Sequence, residues 1–149
     1  MKRWILLALA VVALGGYKSA GTDVGNLRPV EVLIVSCQGE RIVLQTDTAD
    51  LGQGATLEEA VENLQVTAPA QVFLDTAEYL LISREALHLL PKLRGYLRPS
   101  CGVCLLEGEP VGDFASYLKI HQPKQTLANH NPGELETLKV TEGRMELVS

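Results

Sequence analysis

Two cysteines separated by two residues are the side chains of this sequence best suited to chemistry. Cys101-Gly102-Val103-Cys104 has the spacing of a redox dithiol or of half a zinc site. The flanking residues predict a strand, on which side chains three positions apart point to opposite faces. The pattern therefore favours buried thiols that pack as small apolar side chains. An exported thiol-redox or metal-binding protein that uses Cys101 and Cys104 is the alternative.

A third cysteine and three histidines are the other soft metal ligands. None has the local spacing of known zinc modules; they are Cys37, His88, His121 and His130. Cys37 makes the cysteine count odd, so in an oxidising compartment one thiol stays free or pairs between chains. His88 lies in an apolar helical run and is predicted to be a partly buried core histidine. We therefore predict no metal site and no cofactor.

Two pairs of carboxylates are spaced closely enough for acid/base chemistry, Asp47 with Asp50 and Asp75 with Glu78. Each pair lies beside turn-forming residues, where carboxylates commonly accept hydrogen bonds from the backbone. The chain has no P-loop, dinucleotide fingerprint or nucleophile elbow. The sequence therefore predicts no catalytic residue and a protein that is not an enzyme.

Composition bounds the class of protein. The chain has 149 residues and a formal charge of -5, and its Lys and Arg residues are scattered. Nucleic-acid binding needs clustered cations, so it is not expected. The apolar fraction of 46% is typical of a globular protein. We predict one folded domain over residues 30–149.

The N-terminus has the order of an export signal. Lys2 and Arg3 precede an apolar run that ends at Gly15-Gly16. The run is shorter than the roughly 20 residues of a transmembrane helix, which favours a signal peptide over a stable span. Residues 1–16 are therefore predicted to be a signal peptide or N-terminal membrane anchor, and residues 17–29 a linker. The folded part is expected to be extracytoplasmic, either membrane-associated or secreted.

Hydrophobic periodicity predicts the first half of the domain. A hairpin is expected around Gln38-Gly39-Glu40, and the glycine-rich residues 51–55 break the pattern. Thr56-Leu57-Glu58-Glu59 is a capping box that opens a helix ending near Pro69. Two apolar runs too short for helices follow at residues 72–74 and 79–82, and the second predicts a strand covered on both faces.

The second half predicts helices, a strand and a hairpin. Ser83 can cap a helical stretch that Pro91 divides into two pieces. The remaining expectations are a strand at residues 103–106, a helix at 111–118, an exposed loop at 119–133 and a terminal hairpin around Glu142-Gly143. Together these elements predict an α/β (α+β) fold, a small mixed sheet of about five to seven strands with three or four helices packed on it.

Several short motifs occur in the order found in a known family. They are Gly54-Ala55-Thr56-Leu57-Glu58-Glu59-Ala60, the segment 72–83, Arg94-Gly95-Tyr96-Leu97-Arg98 and the segment 103–108. On these motifs, residues 28–118 resemble the N-terminal domain of the extracytoplasmic C subunits of bacterial spore germinant receptors, the Ger(x)C lipoproteins. Two features differ from the family: Tyr17 stands where the lipid-bearing cysteine is expected, and the family's later domains are absent from these 149 residues.

The resemblance implies a function without catalysis. It implies an accessory subunit at the outer face of a membrane that contacts multi-pass membrane subunits of a receptor complex and acts in spore germination. An envelope module that binds a ligand is a further alternative.

Overall fold

The structure is a computed structural model that describes residues 27–68 and 71–149. The predicted signal peptide and most of the predicted linker lie outside these residues. The last residues of that linker, Leu27–Pro29, form strand β1, so regular structure begins before the predicted start at Val30.

The described residues contain nine strands, which form two sheets. The remaining strands are β2 (Val32–Gln38), β3 (Arg41–Thr46), β4 (Leu51–Gly54), β5 (Gln71–Phe73), β6 (Tyr79–Ile82), β7 (Gly102–Gly108), β8 (Thr137–Thr141) and β9 (Arg144–Val148). The main sheet has seven strands in the order β4-β3-β2-β6-β7-β8-β9, while β1 and β5 form a separate parallel pair. In the main sheet β2, β6, β7 and β8 are mutually parallel, and antiparallel strands complete both sides.

In this described part of the chain, three α-helices connect and cover the strands: α1 (Leu57–Thr67), α2 (Leu90–Leu93) and α3 (Phe114–Ile120). Short 3-10 helices lie at Leu74–Thr76, Arg84–Leu89 and Pro132–Glu134. This mixed sheet with three helices is the α+β fold that the sequence predicts.

Each face of the sheet has its own core. The major core joins alternate residues of the strands to α1, the Arg84–Leu89 segment and α2; it includes Leu33, Leu64, Leu80, Leu93 and Val103. The minor core joins the opposite residues to α3; it includes Ile34, Leu81, Cys104, Phe114 and Leu118. All four residues of β6 are buried, as expected for a central strand covered on both faces.

Local sequence signals set several element ends. Gly39 has a φ of +64° in the two-residue turn that joins β2 to β3, at the position where type II′ turns take glycine. Thr56 Oγ1 accepts a hydrogen bond from Glu59 N at 3.1 Å, and Glu59 Oε1 accepts one from Ala55 N at 3.1 Å. In a standard capping box the Glu59 carboxylate accepts from the backbone nitrogen of the cap residue, Thr56. Here it accepts from the nitrogen of the preceding residue, Ala55, instead. In the terminal hairpin, Glu142 and Gly143 both have positive φ, as a type I′ turn requires.

Other expectations were wrong. Residues 51–54 form β4 rather than a break in the pattern. Ser83 makes no side-chain capping bond, and Arg84–Leu89 is a 3-10 helix. Helix α3 begins at Phe114 rather than at Val111, because the Asp113 carboxylate accepts from Ser116 N at 3.2 Å and so caps the helix there.

The predicted exposed loop at residues 119–133 is partly structural. Its first two residues belong to α3, and Leu127 is fully buried in the major core. Leu127 N donates to Cys101 O at 2.8 Å, and Val103 N donates to Gln125 O at 2.9 Å. The segment is therefore held against β7 by backbone hydrogen bonds as well as by one apolar side chain.

Candidate functional site

The two cysteines of the candidate dithiol point to opposite faces of the sheet, as predicted. Cys101 lies in the major core and Cys104 in the minor core, and both are fully buried. Strand β7 lies between the two cores, so the side chains do not meet as a pair.

Burial also suppresses the reactivity of these thiols. It raises the pKa of Cys101 and that of Cys104 to about 12; nearby Arg98 lowers the first slightly, and Glu136 raises the second further. Both are therefore neutral thiols at pH 7, and it is the thiolate that attacks substrates and binds metals. The half-buried Cys37 lies with its Sγ 3.9 Å from the Glu85 carbonyl, and burial, followed by the Glu85 charge, raises its pKa.

The histidines take three different positions. His88 is exposed, so the expectation of a partly buried histidine was wrong: in the 3-10 helix it is Ala86 and Leu89 that face the core. His121 follows α3, and its ring centroid lies 4.5 Å from that of Tyr117. His130 is half-buried, and the fold brings it to the same cleft as His88, 42 positions earlier.

The candidate acid/base carboxylates are held in turns or exposed. Asp47 Oδ1 accepts from the backbone nitrogens of Glu31 at 3.0 Å and Val32 at 3.1 Å, which ties the turn after β3 to the start of β2. Asp50 Oδ2 accepts from Thr48 Oγ1 at 2.8 Å within that turn. The turn interpretation is thus confirmed for this pair. The second pair, Asp75 and Glu78, is exposed.

A metal site requires several ligands together. Among residues 27–68 and 71–149, no group of three or more His, Cys, Asp or Glu side chains is arranged to hold a metal ion.

The carboxyl ends of β6 and β7 form a cleft of about 410 Å³, at the edge where open α/β sheets bind ligands. Ser83 Oγ is buried there and has no hydrogen-bond partner within the part of the chain that the structure describes. Arg84, Glu85 and Glu107 also line the cleft. Since one cation and two anions line the cleft, its charge selects no class of ligand.

The outer edge of β4 is covered by helix α1. Gln53 N donates to Asn63 Oδ1 at 2.9 Å, and Leu51 O accepts from Thr67 Oγ1 at 2.7 Å. Gly52 makes this approach possible, because a Cβ there would lie 2.5 Å from Ala60 O. The helix thus satisfies backbone groups that an uncovered edge strand leaves open.

At the outer edge of β9, Leu147 N donates to Tyr117 Oη at 2.9 Å, the one side-chain bond that the described segments make there. Alternate residues of an antiparallel strand turn their backbone groups to the same side. Met145, two residues before Leu147, therefore also turns its N–H and C=O away from β8. Arg144 and Glu146, opposite Thr141 and Lys139, form the ladder to β8.

Comparison with known proteins found no relative: no family model, curated protein or solved structure matches the chain. In the segments that the structure describes, no helix is both long enough and apolar enough to span a membrane. The predicted export segment, residues 1–16, lies outside them.

Proposed function

We propose that this chain is a non-enzymatic, exported accessory protein that acts through protein–protein contacts. In this proposal the chain acts in spore germination in the way that the C subunits of spore germinant receptors do. That part of the proposal is based on the sequence resemblance of residues 28–118 alone. Residues 1–16 associate it with the membrane, and its partners are multi-pass membrane subunits of a receptor complex.

The observation that carries the proposal is the outer edge of β9, which no other strand of residues 27–68 and 71–149 covers. Addition of a partner's extended segment to a sheet edge is a common recognition mode, in which main-chain hydrogen bonds supply affinity. Met145 offers both of its backbone groups on this edge, while Leu147 N is taken by Tyr117 Oη. At the opposite edge Asn63 and Thr67 already occupy the corresponding groups, so a partner strand is expected at β9 rather than at β4.

Side chains beside this edge give the surface a defined chemistry. Met145 and Leu147 are half-buried and pack against the minor core. Arg144 and Glu146 are on the other face, where Arg144 is exposed and Glu146 lies opposite Lys139. A bound segment is therefore expected to place apolar residues on the α3 side and polar residues on the other.

A proline substitution on the edge tests the proposal. Met145→Pro removes the outward N–H and leaves the ladder to β8 intact, because edge strands tolerate proline where the N–H faces outward. Met145→Val is the matched control, since it keeps the amide. From sporulating cells, the wild-type chain and Met145→Val are expected to recover a multi-pass membrane protein, and Met145→Pro about tenfold less of it, as loss of about 1.4 kcal/mol requires.

Two results would oppose the proposal. Recovery of no multi-pass membrane partner by the wild-type chain, together with normal germination of a deletion strain, rejects the accessory function. Equal recovery by Met145→Pro and Met145→Val rejects the β9 edge as the contact.

A further inference from the structure

A second surface of the molecule has the features of a small-molecule site. A cleft of about 410 Å³ lies where the 3-10 helix Arg84–Leu89 and α2 meet the segment that follows α3. Its lining residues are Leu87, His88, Leu90, Pro91, Arg94 and His130. This volume is within the range of pockets that hold small organic ligands.

One part of the cleft is apolar. Leu90 is 2% exposed and belongs to the major core, and the half-buried Leu87 packs against that core. Pro91 continues this surface at the first turn of α2. The three side chains offer an apolar wall fixed by the packing beneath it.

The polar part of the cleft is basic. Arg94, His88 and His130 supply its ionisable groups, and no carboxylate of the residues that the structure describes lines it. Four other clefts of the described chain each include at least one carboxylate. The sequence as a whole has 18 acidic and 13 basic residues, so this cleft is opposite in character to the chain's net charge.

His130 is held in one orientation. Its Nδ1 lies 2.9 Å from Leu127 O, and because a carbonyl can only accept, Nδ1 carries the hydrogen and Nε2 is left to meet a ligand. The surrounding segment is anchored by the buried Leu127 and by Asn131 N, which donates to Gln125 Oε1 at 2.6 Å. His130 is therefore positioned in the cleft before a ligand arrives.

We propose that this cleft binds a small organic anion, a carboxylate that carries an apolar body such as one ring or a short alkyl chain. Arg94 binds the carboxylate with His88 as a further donor, and His130 donates from Nε2 when its ring is protonated on both nitrogens. The apolar body packs on Leu87 and Leu90. Arginine suits this role because its planar group can donate two parallel hydrogen bonds to a carboxylate. The proposal does not depend on the β9 edge or on a membrane partner.

Titration of the full-length chain with model ligands tests the proposal, with the histidine ring signals followed by nuclear magnetic resonance. Hexanoate and phenylacetate are expected to shift the His88 and His130 signals saturably. Phenylacetamide, the uncharged analogue, is expected to bind about tenfold more weakly, because it cannot form the charge-assisted hydrogen bonds that a carboxylate forms with Arg94. Acetate, which lacks the apolar body, is expected to bind weakly for a different reason, the lost contact with the leucines.

Matched variants assign the binding to the cleft. Arg94→Gln is expected to reduce phenylacetate affinity about tenfold. Lys92→Gln, an exposed cation of the same helix that does not line the cleft, is expected to leave it unchanged. Thermal unfolding checks that both variants are folded.

Three outcomes would overturn the proposal: no saturable shift with either hexanoate or phenylacetate, equal binding of phenylacetate and phenylacetamide, or equal affinity in Arg94→Gln and the wild type. Acetate binding as tight as hexanoate binding would remove the apolar body from the ligand class.

Discussion

The two edge strands of the main sheet, β4 and β9, differ in whether their outward backbone N–H and C=O groups are bonded. At β4, helix α1 lies close enough for Asn63 and Thr67 to bond the outward backbone groups of the strand. At β9, α3 packs on the face of the sheet, and among the described residues Tyr117 alone bonds the edge through its side chain. Unpaired edges invite strand addition, so the first edge is protected and the second is available.

The difference follows from the side chains that each strand carries. Gly52 and Gly54 on β4 leave room for the backbone of α1, because a Cβ at either position would lie 2.5–2.6 Å from atoms of Ala60. β9 carries Met145 and Leu147, which are half-buried and pack against the minor core that also includes α3 residues. Glycine therefore lets a helix backbone approach β4, whereas β9 has no glycine.

Gly52→Ala is the strongest test of this contrast, since the added methyl would overlap both Ala60 O and the Leu64 side chain. We expect the free energy of unfolding in urea to fall by about 3 kcal/mol, the upper range for overpacking a core. Gly95→Ala, where the nearest atom to a new Cβ is 3.4 Å away, is the control and should change little. Equal stability of the two variants would mean that α1 is not held tightly against β4.

In contrast to the two edges, the centre of the sheet holds two fully buried thiols, Cys101 just before β7 and Cys104 within it. Cys101 and Cys104 have pKa values of about 12 in the folded protein against 9.0 ordinarily, so above pH 9 the unfolded state loses these protons first. Stability from these thiols is fully present below pH 9 and is lost as the pH rises toward 12. Urea unfolding between pH 8 and pH 11 should decline less steeply in the Cys101→Ala/Cys104→Ala variant than in the wild type; parallel declines would show that the thiols are not buried.

Removal of one side-chain hydrogen bond at each edge is expected to have smaller effects, which compare β4 and β9 directly. Asn63→Ala removes the acceptor of Gln53 N and should cost about 1 kcal/mol of unfolding free energy. It also opens the β4 edge, so sedimentation should detect increased self-association. Tyr117→Phe removes the bond to Leu147 N on an edge that is already open, and a cost of about 0.5 kcal/mol with less change in association is expected. If Tyr117→Phe had the larger effect on both measurements, the assignment of open and closed edges would be reversed.

Hydrophobic alternation was sufficient to predict most strands. The fully apolar β6, the hairpin at Gly39 and the terminal hairpin at Glu142-Gly143 each combine a strand pattern with a turn signal, and each lies where expected. The opposite orientation of Cys101 and Cys104 followed from the same period of two.

Elements defined by tertiary contacts could not be predicted in this way. β4 has glycines where a strand pattern requires side chains, and its identity as a strand depends on β3 and α1. Leu127 is a single apolar residue in a polar stretch, so no periodicity marks it as core. His88 and His130 are 42 positions apart, and only the path of the chain after α3 brings them to one cleft.

The backbone amides of the two edges give the most direct test. In hydrogen exchange of the full-length chain, Met145 N is expected to exchange quickly, whereas Gln53 N, bonded to Asn63, is protected at least about tenfold more strongly, the factor that about 1.4 kcal/mol of opening free energy gives. Protection of Met145 equal to or greater than that of Gln53 would show that the β9 edge is already covered, and it would contradict the account.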